Sequence, residues 1–450
     1  MRPSGLLFTF YGDDFTGSTD VLEALTAYGL PTALFLKPPT PETLARFRLI
    51  NGGADRDGRL AAFGVAGISR TLSPAAMKTT LPPIFAGIAV HASRFFHYKI
   101  CSTFDSAPTI GNIGMATDLA LEAFPSRWVP LVVAAPALGR YCAFGNLFAR
   151  GGGATYRLDR HPTMTRHPIT PMDESDLRLH LARQTSRDVQ LVDLLTLRSE
   201  AADAAVPRGV GAGGFVLFDT IDEDDLARVG AVICQHGQAQ GQLLVGSSGV
   251  EHAVCRALRQ RGELGEPVPL PQLPEVTHLI AVAGSLAPGT TVQIEWALAR
   301  GFADVRLDAT ALSNPDCREA EIERTVAAAA TAWGEGRSPL IYTTRILSGS
   351  AVGGGETGTA IAAAQGTILR RLLQRVGPQR VVVAGGDTSG HAARALGIHA
   401  LEMAAPIAPG APLCLAHSCE PALQGLQIAL KGGQNGDERY FESVRMGRAV

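Results

Sequence analysis

Asp13 and Asp14 stand side by side in FYGDDFTGSTD (residues 10–20), where a short apolar run ends in Gly12 and a helix begins, with a third acid at Asp20. Adjacent carboxylates at a helix N-terminus are stabilised by its dipole. They suit hydrogen bonding to a polyhydroxylated ligand, or removal of a proton from a hydroxyl. A helix cap with a spare surface acid fits the same residues. A second candidate is FHYKICSTFDSAPTIGNIG (96–114), where Lys99 closes an apolar run and Ser102, Thr103, Asp105 and Ser106 follow in a polar loop. The chain has only four lysines, at 37, 78, 99 and 431, so one inside such a stretch stands out. Lysine and hydroxyls at a strand end can grip a carboxylate or phosphate. A lysine reaching to solvent from a strand edge is the plain alternative. Arg70, in GISRTLSP (67–74), follows another apolar run and is placed to pair with a carboxylate.

Three glycine-rich turns add a different chemistry. VVVAGGDTSGHAARALGI (381–398) runs from four apolar residues into Gly385, Gly386, Asp387 and Thr388, then into a helix. Paired glycines let a phosphate approach the backbone, and the helix N-terminus supplies positive potential. Asp387 could hold Mg²⁺ or act as a base; a capped helix after a buried strand is the structural alternative. VAGSLAPGTTVQIEWAL (282–298) places Ser285 in a small-residue turn with free backbone N–H groups. ALKGGQNGDERYF (429–441) carries Gly433 beside Lys431, in a pattern that is also common in hairpin turns. None of the three is a Walker A loop or a G-x-G-x-x-G fingerprint.

Stretches so far apart need a scaffold that brings them to one edge. Short apolar runs at 6–10, 32–36, 95–100, 130–135, 214–219 and 242–247 read as strands, with helices at about 18–28, 73–90, 111–124, 173–185, 222–236 and 249–261 between them. This alternation predicts an α/β protein with largely parallel sheets. Ligands of such sheets sit beyond the carboxyl ends of the strands. GELGEPVPLPQLPEV (262–276) interrupts the pattern with four prolines and reads as a linker. A second alternation follows, with strands at 278–285, 304–307, 339–344, 380–387, 412–416 and 425–430 and helices at about 288–300, 317–334, 357–376 and 388–396. The expected organisation is two α/β domains, 1–270 and 271–450, with an active-site cleft between them.

Composition narrows the function classes. The 450 residues are 46% apolar and carry a net charge of −2, so nothing electrostatic favours nucleic acid or an acidic membrane surface. No apolar run approaches the ~20 residues of a membrane span. The first residues meet acids too early for a signal peptide. Seven scattered cysteines without C-x-x-C argue for reduced thiols in the cytoplasm. Cys414, His417 and Cys419 come nearest to a metal cluster, but a buried strand end and turn explains them better.

Taken together, GDDFTGSTD, GISR, YKICSTFD, VAGSLAPGTTVQIEWAL, AGGDTSGHAARALGI and LKGGQNG resemble the four-carbon acid sugar kinase family in order and spacing, over the whole chain. The resemblance implies a sugar-acid-binding domain at 1–270 and a nucleotide-binding domain at 271–450. It implies transfer of phosphate from ATP, with Mg²⁺, to a hydroxyl of a four- or five-carbon acid such as threonate, erythronate or a 3-oxo-tetronate. Asp13, Asp14, Arg70 and Lys99, with Ser102 and Thr103 of the same loop, would form the acid-sugar site. Ser285, Gly385, Gly386, Asp387, Thr388 and Gly433 would form the ATP site. Asp14 or Asp387 would be the base, no metal ligand is assigned, and a homodimer is implied. Much of the family reads K-x-D-S-T where this chain has Lys99-Ile100-Cys101-Ser102-Thr103, with the acid delayed to Asp105. Residues 140–175 also have their own histidine- and arginine-rich wording. A related branch acts on the branched five-carbon acid 3-oxo-isoapionate; His161, Arg166 and His167 either read such a substrate or form a solvated hairpin. Two rivals from other classes are an NAD(P)-dependent oxidoreductase and a non-catalytic sugar-acid-binding protein.

Overall fold

A computed structural model describes residues 5–52, 59–167, 169–200, 211–267, 269–284, 287–343, 356–377 and 379–450, with the side chains of all but 356, 357 and 387. The chain divides into two compact units, Met1–Val268 and Pro269–Val450. The stretch 261–279, which holds the four prolines, contains no helix or strand among its described residues.

In the first unit the apolar runs become parallel strands. They are β1 (Leu6–Gly12), β2 (Thr32–Phe35), β3 (Ala62–Ala66), β4 (Ser93–Lys99) and β5 (Trp128–Val132). An antiparallel group follows, β6 (Arg140–Ala143), β7 (Asn146–Gly151) and β8 (Ala154–Arg157), before β9 (Val189–Val192), β10 (Gly214–Phe218) and β11 (Gln242–Gly246). The main sheet runs β2-β3-β1-β4-β11-β5-β10-β9, parallel at every junction. Its central strands are buried on both faces, which is why they read as continuous apolar runs. Phe85, from the helix Pro74–Ala89, packs edge-on against Tyr11, Phe96 and Tyr98 and locks β1 and β4 under that helix. That helix carries Pro82 and Pro83 in its interior, so the expectation of a helix over 73–90 holds despite two breakers.

The second unit has β12 (Ile280–Ala283), β13 (Ala303–Leu307), β14 (Pro339–Thr343), β15 (Val381–Ala384), β16 (Ile398–Ala408), β17 (Ala411–Ser418) and β18 (Gln427–Lys431). Its order is β13-β14-β12-β15-β18-β17-β16, parallel from β13 to β18 and antiparallel over the last two junctions. The core joins Leu279, just before β12, and Ala281, Leu340, Val382 and Ala429 of the sheet to Ile294, Tyr440, Phe441 and Val444 of flanking helices. Cys414 and His417 lie on β17, where His417 Nε2 is 2.8 Å from Glu402 Oε2, and no metal-holding cluster exists among the described residues. No helix among the described residues is long and apolar enough to cross a membrane.

The sequence reading missed β16, the hairpin β6–β7–β8 and β9. The helix expected over 173–185 is confined to Leu177–Ala182. The strands missed at 140–157 and 189–192 are short and mostly half-buried, without a continuous apolar run.

Candidate active site

Parallel registry sets the first constellation. Gly12 pairs with Ala66 on one side and Lys99 on the other, and Lys99 pairs with Gly246, so β1, β3, β4 and β11 end level. Everything that follows these residues emerges at one edge. The Asp13 N–H donates to the Lys99 carbonyl at 2.9 Å, and the Arg70 N–H donates to the Asp13 carbonyl at 3.0 Å. The backbone thus draws three of the expected site residues together.

Their side chains form an ion cluster. Arg70 donates through Nε to Asp13 Oδ2 (3.1 Å), through Nη2 to Asp13 Oδ1 (2.8 Å) and through Nη1 to Asp14 Oδ2 (3.0 Å). Asp105 Oδ2 stands 4.0 Å from the same guanidinium. Asp14 Oδ1 accepts from the Gly17 N–H at 2.7 Å and caps the helix Phe15–Ala27. Lys99 Nζ is 3.4 Å from Asp20 Oδ2 and donates to the Ile100 carbonyl. A Cβ at position 17 would lie 2.6 Å from Asp14 Oδ1 and 3.1 Å from Lys99 Nζ, so a larger residue would displace these side chains. Thr103 Oγ1 donates to Asp105 Oδ1 at 2.7 Å, and Ser102 is half-buried in the same loop.

Burial and charge pull these groups in opposite directions. Burial pushes the Asp13 carboxyl above its ordinary range, against the pull of Arg70. Burial works against the Lys99 charge, but Asp20, Asp13 and Asp14 outweigh it and raise its pKa. Burial likewise works against Arg70, and Asp13 and Asp14 again prevail. Four carboxylates face two cations, so both cations already have acid neighbours. Asp14 is the accessible member of the adjacent pair, its side chain 27% exposed against 4% for Asp13. One layer deeper, His97 donates through Nε2 to the Gly246 carbonyl (3.1 Å) and places Nδ1 2.5 Å from Glu251 Oε1, both side chains fully buried.

Residues 140–175 supply the antiparallel hairpin and two short turns. His161 Nδ1 accepts from the N–H groups of Thr163 and Met164, and His167 Nδ1 accepts from the Thr170 N–H. Each ring nitrogen so engaged serves its own turn, and His161 is buried, not solvated.

The second constellation lies in the second unit. Ala384 pairs with Ala283 and with Lys431, so β12, β15 and β18 end together. The Gly385 N–H donates to the Lys431 carbonyl at 2.8 Å. Gly385 takes φ +131°, a conformation that side chains disfavour, and opens the helix Gly386–Ala395 without a side-chain cap. Uncapped N–H groups at such an end suit an anion. Thr388 Oγ1 donates to Gln365 Oε1 (3.2 Å), and Gln365 Nε2 reaches the Ala283 carbonyl (3.3 Å). The Gly433 carbonyl accepts from Thr290 Oγ1 at 3.0 Å. These features fit a nucleotide phosphate. Ser285 and the Asp387 side chain lie outside what is described. The sequence names Asp20, Asp105 and Lys431 beside the motifs without assigning them to a site, and gives no signal for Gln365 or Thr290.

Comparison with known proteins decides the family. A sugar-binding N-terminal domain model matches residues 8–254, and a nucleotide-binding C-terminal domain model matches 280–441. A 3-oxo-isoapionate kinase of Paraburkholderia graminis is 46% identical, across 99% of this chain and 95% of that protein. The chain belongs to the four-carbon acid sugar kinase family. A 3-oxo-tetronate kinase of Cupriavidus necator is 31% identical over 96% of this chain and 95% of its own length, and one of Pseudomonas fluorescens is 30% identical over the same shares. Crystal structures of proteins from Salmonella typhimurium LT2 and Haemophilus influenzae share the fold, with TM-scores of 0.73 and 0.69 at 23% identity, covering 98% and 97% of this chain and 98% and 99% of theirs. The expected α/β class and carbohydrate kinase activity stand, and the oxidoreductase and non-catalytic readings give way to a sugar-acid kinase.

Proposed function

We propose that this kinase uses ATP to phosphorylate a hydroxyl of 3-oxo-isoapionate or a close branched oxo acid, with the acid held by the first unit and the nucleotide by the second. The observation that carries the substrate is the identity of 46% to a 3-oxo-isoapionate kinase, against 31% to a 3-oxo-tetronate kinase, over nearly equal lengths. The descriptions of the two matching family models support the division of labour.

The residues then have distinct tasks. Asp13, with both oxygens on Arg70, fixes the guanidinium and leaves Asp14 to meet solvent. Asp14 accepts the proton of the attacking hydroxyl, since it is the accessible carboxylate at the strand edge; Asp387 is the alternative base. Lys99, Arg70, Ser102 and Thr103 bind the acid's oxygens. Gly386, Asp387, Thr388 and Gly433, with Ser285, hold phosphate through backbone N–H groups and hydroxyls, while Gly385, whose N–H is taken by the Lys431 carbonyl, gives the turn its conformation. Mg²⁺ would neutralise charge developing between the β- and γ-phosphates. Asp387 would hold it where that residue is not the base.

ADP release with Mg·ATP, measured against 3-oxo-isoapionate, 3-oxo-tetronates, threonates and erythronate, tests this. The highest kcat/KM is expected on 3-oxo-isoapionate. A preference for a 3-oxo-tetronate would overturn the substrate and leave the kinase standing.

A further inference from the structure

Lys431 is unlike the other lysines. Lys37 and Lys78 are exposed, and Lys99 pairs with Asp20. Lys431 is fully buried at the end of β18, and its Nζ donates to Thr290 Oγ1 at 3.3 Å, with the Tyr440 ring centre 5.6 Å away. Among the described residues, the Asp387 side chain apart, no carboxylate reaches it. Of the titratable and charged groups on the elements around it, Asp437, Glu438 and Arg439 on the turn after β18 are exposed. Tyr440 offers its ring. Glu442 pairs with Arg445 on the same helix, Glu295 is exposed, and His417 on β17 is held by Glu402. His391 and Arg394 belong to the helix Gly386–Ala395, and Cys414 lies buried on β17. Burial is what acts on the amine, and it brings the pKa down to about 7.

Its position gives this cost a use. Lys431 ends level with Ala384, its carbonyl holds the Gly385 N–H, and its amine contacts the hydroxyl that holds Gly433. The last two contacts lead to Gly385 and Gly433, assigned above to the phosphate turns, and the inference rests on that nucleotide reading. We propose that Lys431 is a proton-coupled positioning residue: binding of nucleotide polyphosphate beside the buried amine draws a solvent proton onto its Nζ lone pair. A nearby anion stabilises the charged amine and returns its pKa towards the ordinary range. The bound anion in turn is held more tightly.

Calorimetric binding of Mg-free ADP to the full chain, in two buffers of different ionisation enthalpy, reads the proton directly. Uptake approaching one proton per ADP is expected at pH 8, and little at pH 6. Lys431→Met is expected to bind ADP at least about tenfold more weakly, without uptake at pH 8. Wild-type binding with no uptake at pH 8 overturns the role of Lys431 while the nucleotide site stands. Failure of the wild type to bind ADP or ATP overturns the nucleotide reading itself. The wild-type pH comparison decides the matter even where Lys431→Met fails to fold.

Discussion

Asp14 does two things at once, and its variants separate them. It caps the helix Phe15–Ala27 through Gly17 and offers an accessible carboxylate. Asp14→Ala loses the cap, at about 1 kcal/mol, together with the charge. Asp14→Asn keeps a good cap and loses the charge, and with it the base and the ion pair to Arg70. We expect Asp14→Asn to melt near the wild type while kcat for ADP release falls at least ~100-fold; turnover close to normal would remove Asp14 from the chemistry. Lys431 gives a second prediction, on stability. Its folded pKa of about 7 lies below the ~10.4 of an unfolded lysine. The unfolded chain therefore holds the proton longer, and this group's contribution to stability rises from about pH 7 to pH 10. Lys431→Met removes that dependence, so its gain in melting temperature over nucleotide-free wild type should be largest at pH 7 and shrink towards pH 10. A constant difference would show that the amine titrates normally. The Arg70 fork has a consequence for selectivity. The guanidinium already holds the protein's own carboxylates, so an incoming acid must exchange with them, and it gains only the difference. An acid without hydroxyls to occupy the freed aspartates binds poorly.

Individual elements were legible where their physics is local. Parallel strands buried on both faces appear as apolar runs, and β1, β4, β10 and β11 were readable for that reason. Asp13, Arg70 and Lys99 were legible as strand-end residues, but their mutual pairing was not. Which strands lie side by side depends on sheet order, and β1 sits between β3 and β4 in a way that no spacing in the sequence records. Asp20 lies six residues past Asp14, and only the helical turn brings it to Lys99. The pairing of His97 on β4 with Glu251 in the helix Gly249–Gln260 is also a long-range fact. It carries a prediction at this scale. His97→Ala leaves Glu251 buried without its partner, at a cost of about 3–5 kcal/mol. Adding Glu251→Leu should restore most of it. Urea midpoints of the two variants check this, and a single variant as stable as wild type would show that the pair contributes nothing.

At the scale of the whole molecule, each compact unit is a single continuous piece of chain, with the boundary at Val268 and Pro269 inside a proline-rich stretch free of described helix or strand. Each unit carries its own cluster of loop residues at its own strand ends. Acceptor preference and nucleotide use should then be separately heritable. A splice near residue 268 between this kinase and a 3-oxo-tetronate kinase should yield chimeras whose acceptor follows the first segment. The KM for ATP should follow the second, as steady-state kinetics on both acids would show. Gene fusion, duplication and recombination at one neutral seam could thus exchange substrates without rebuilding the machinery that handles phosphate.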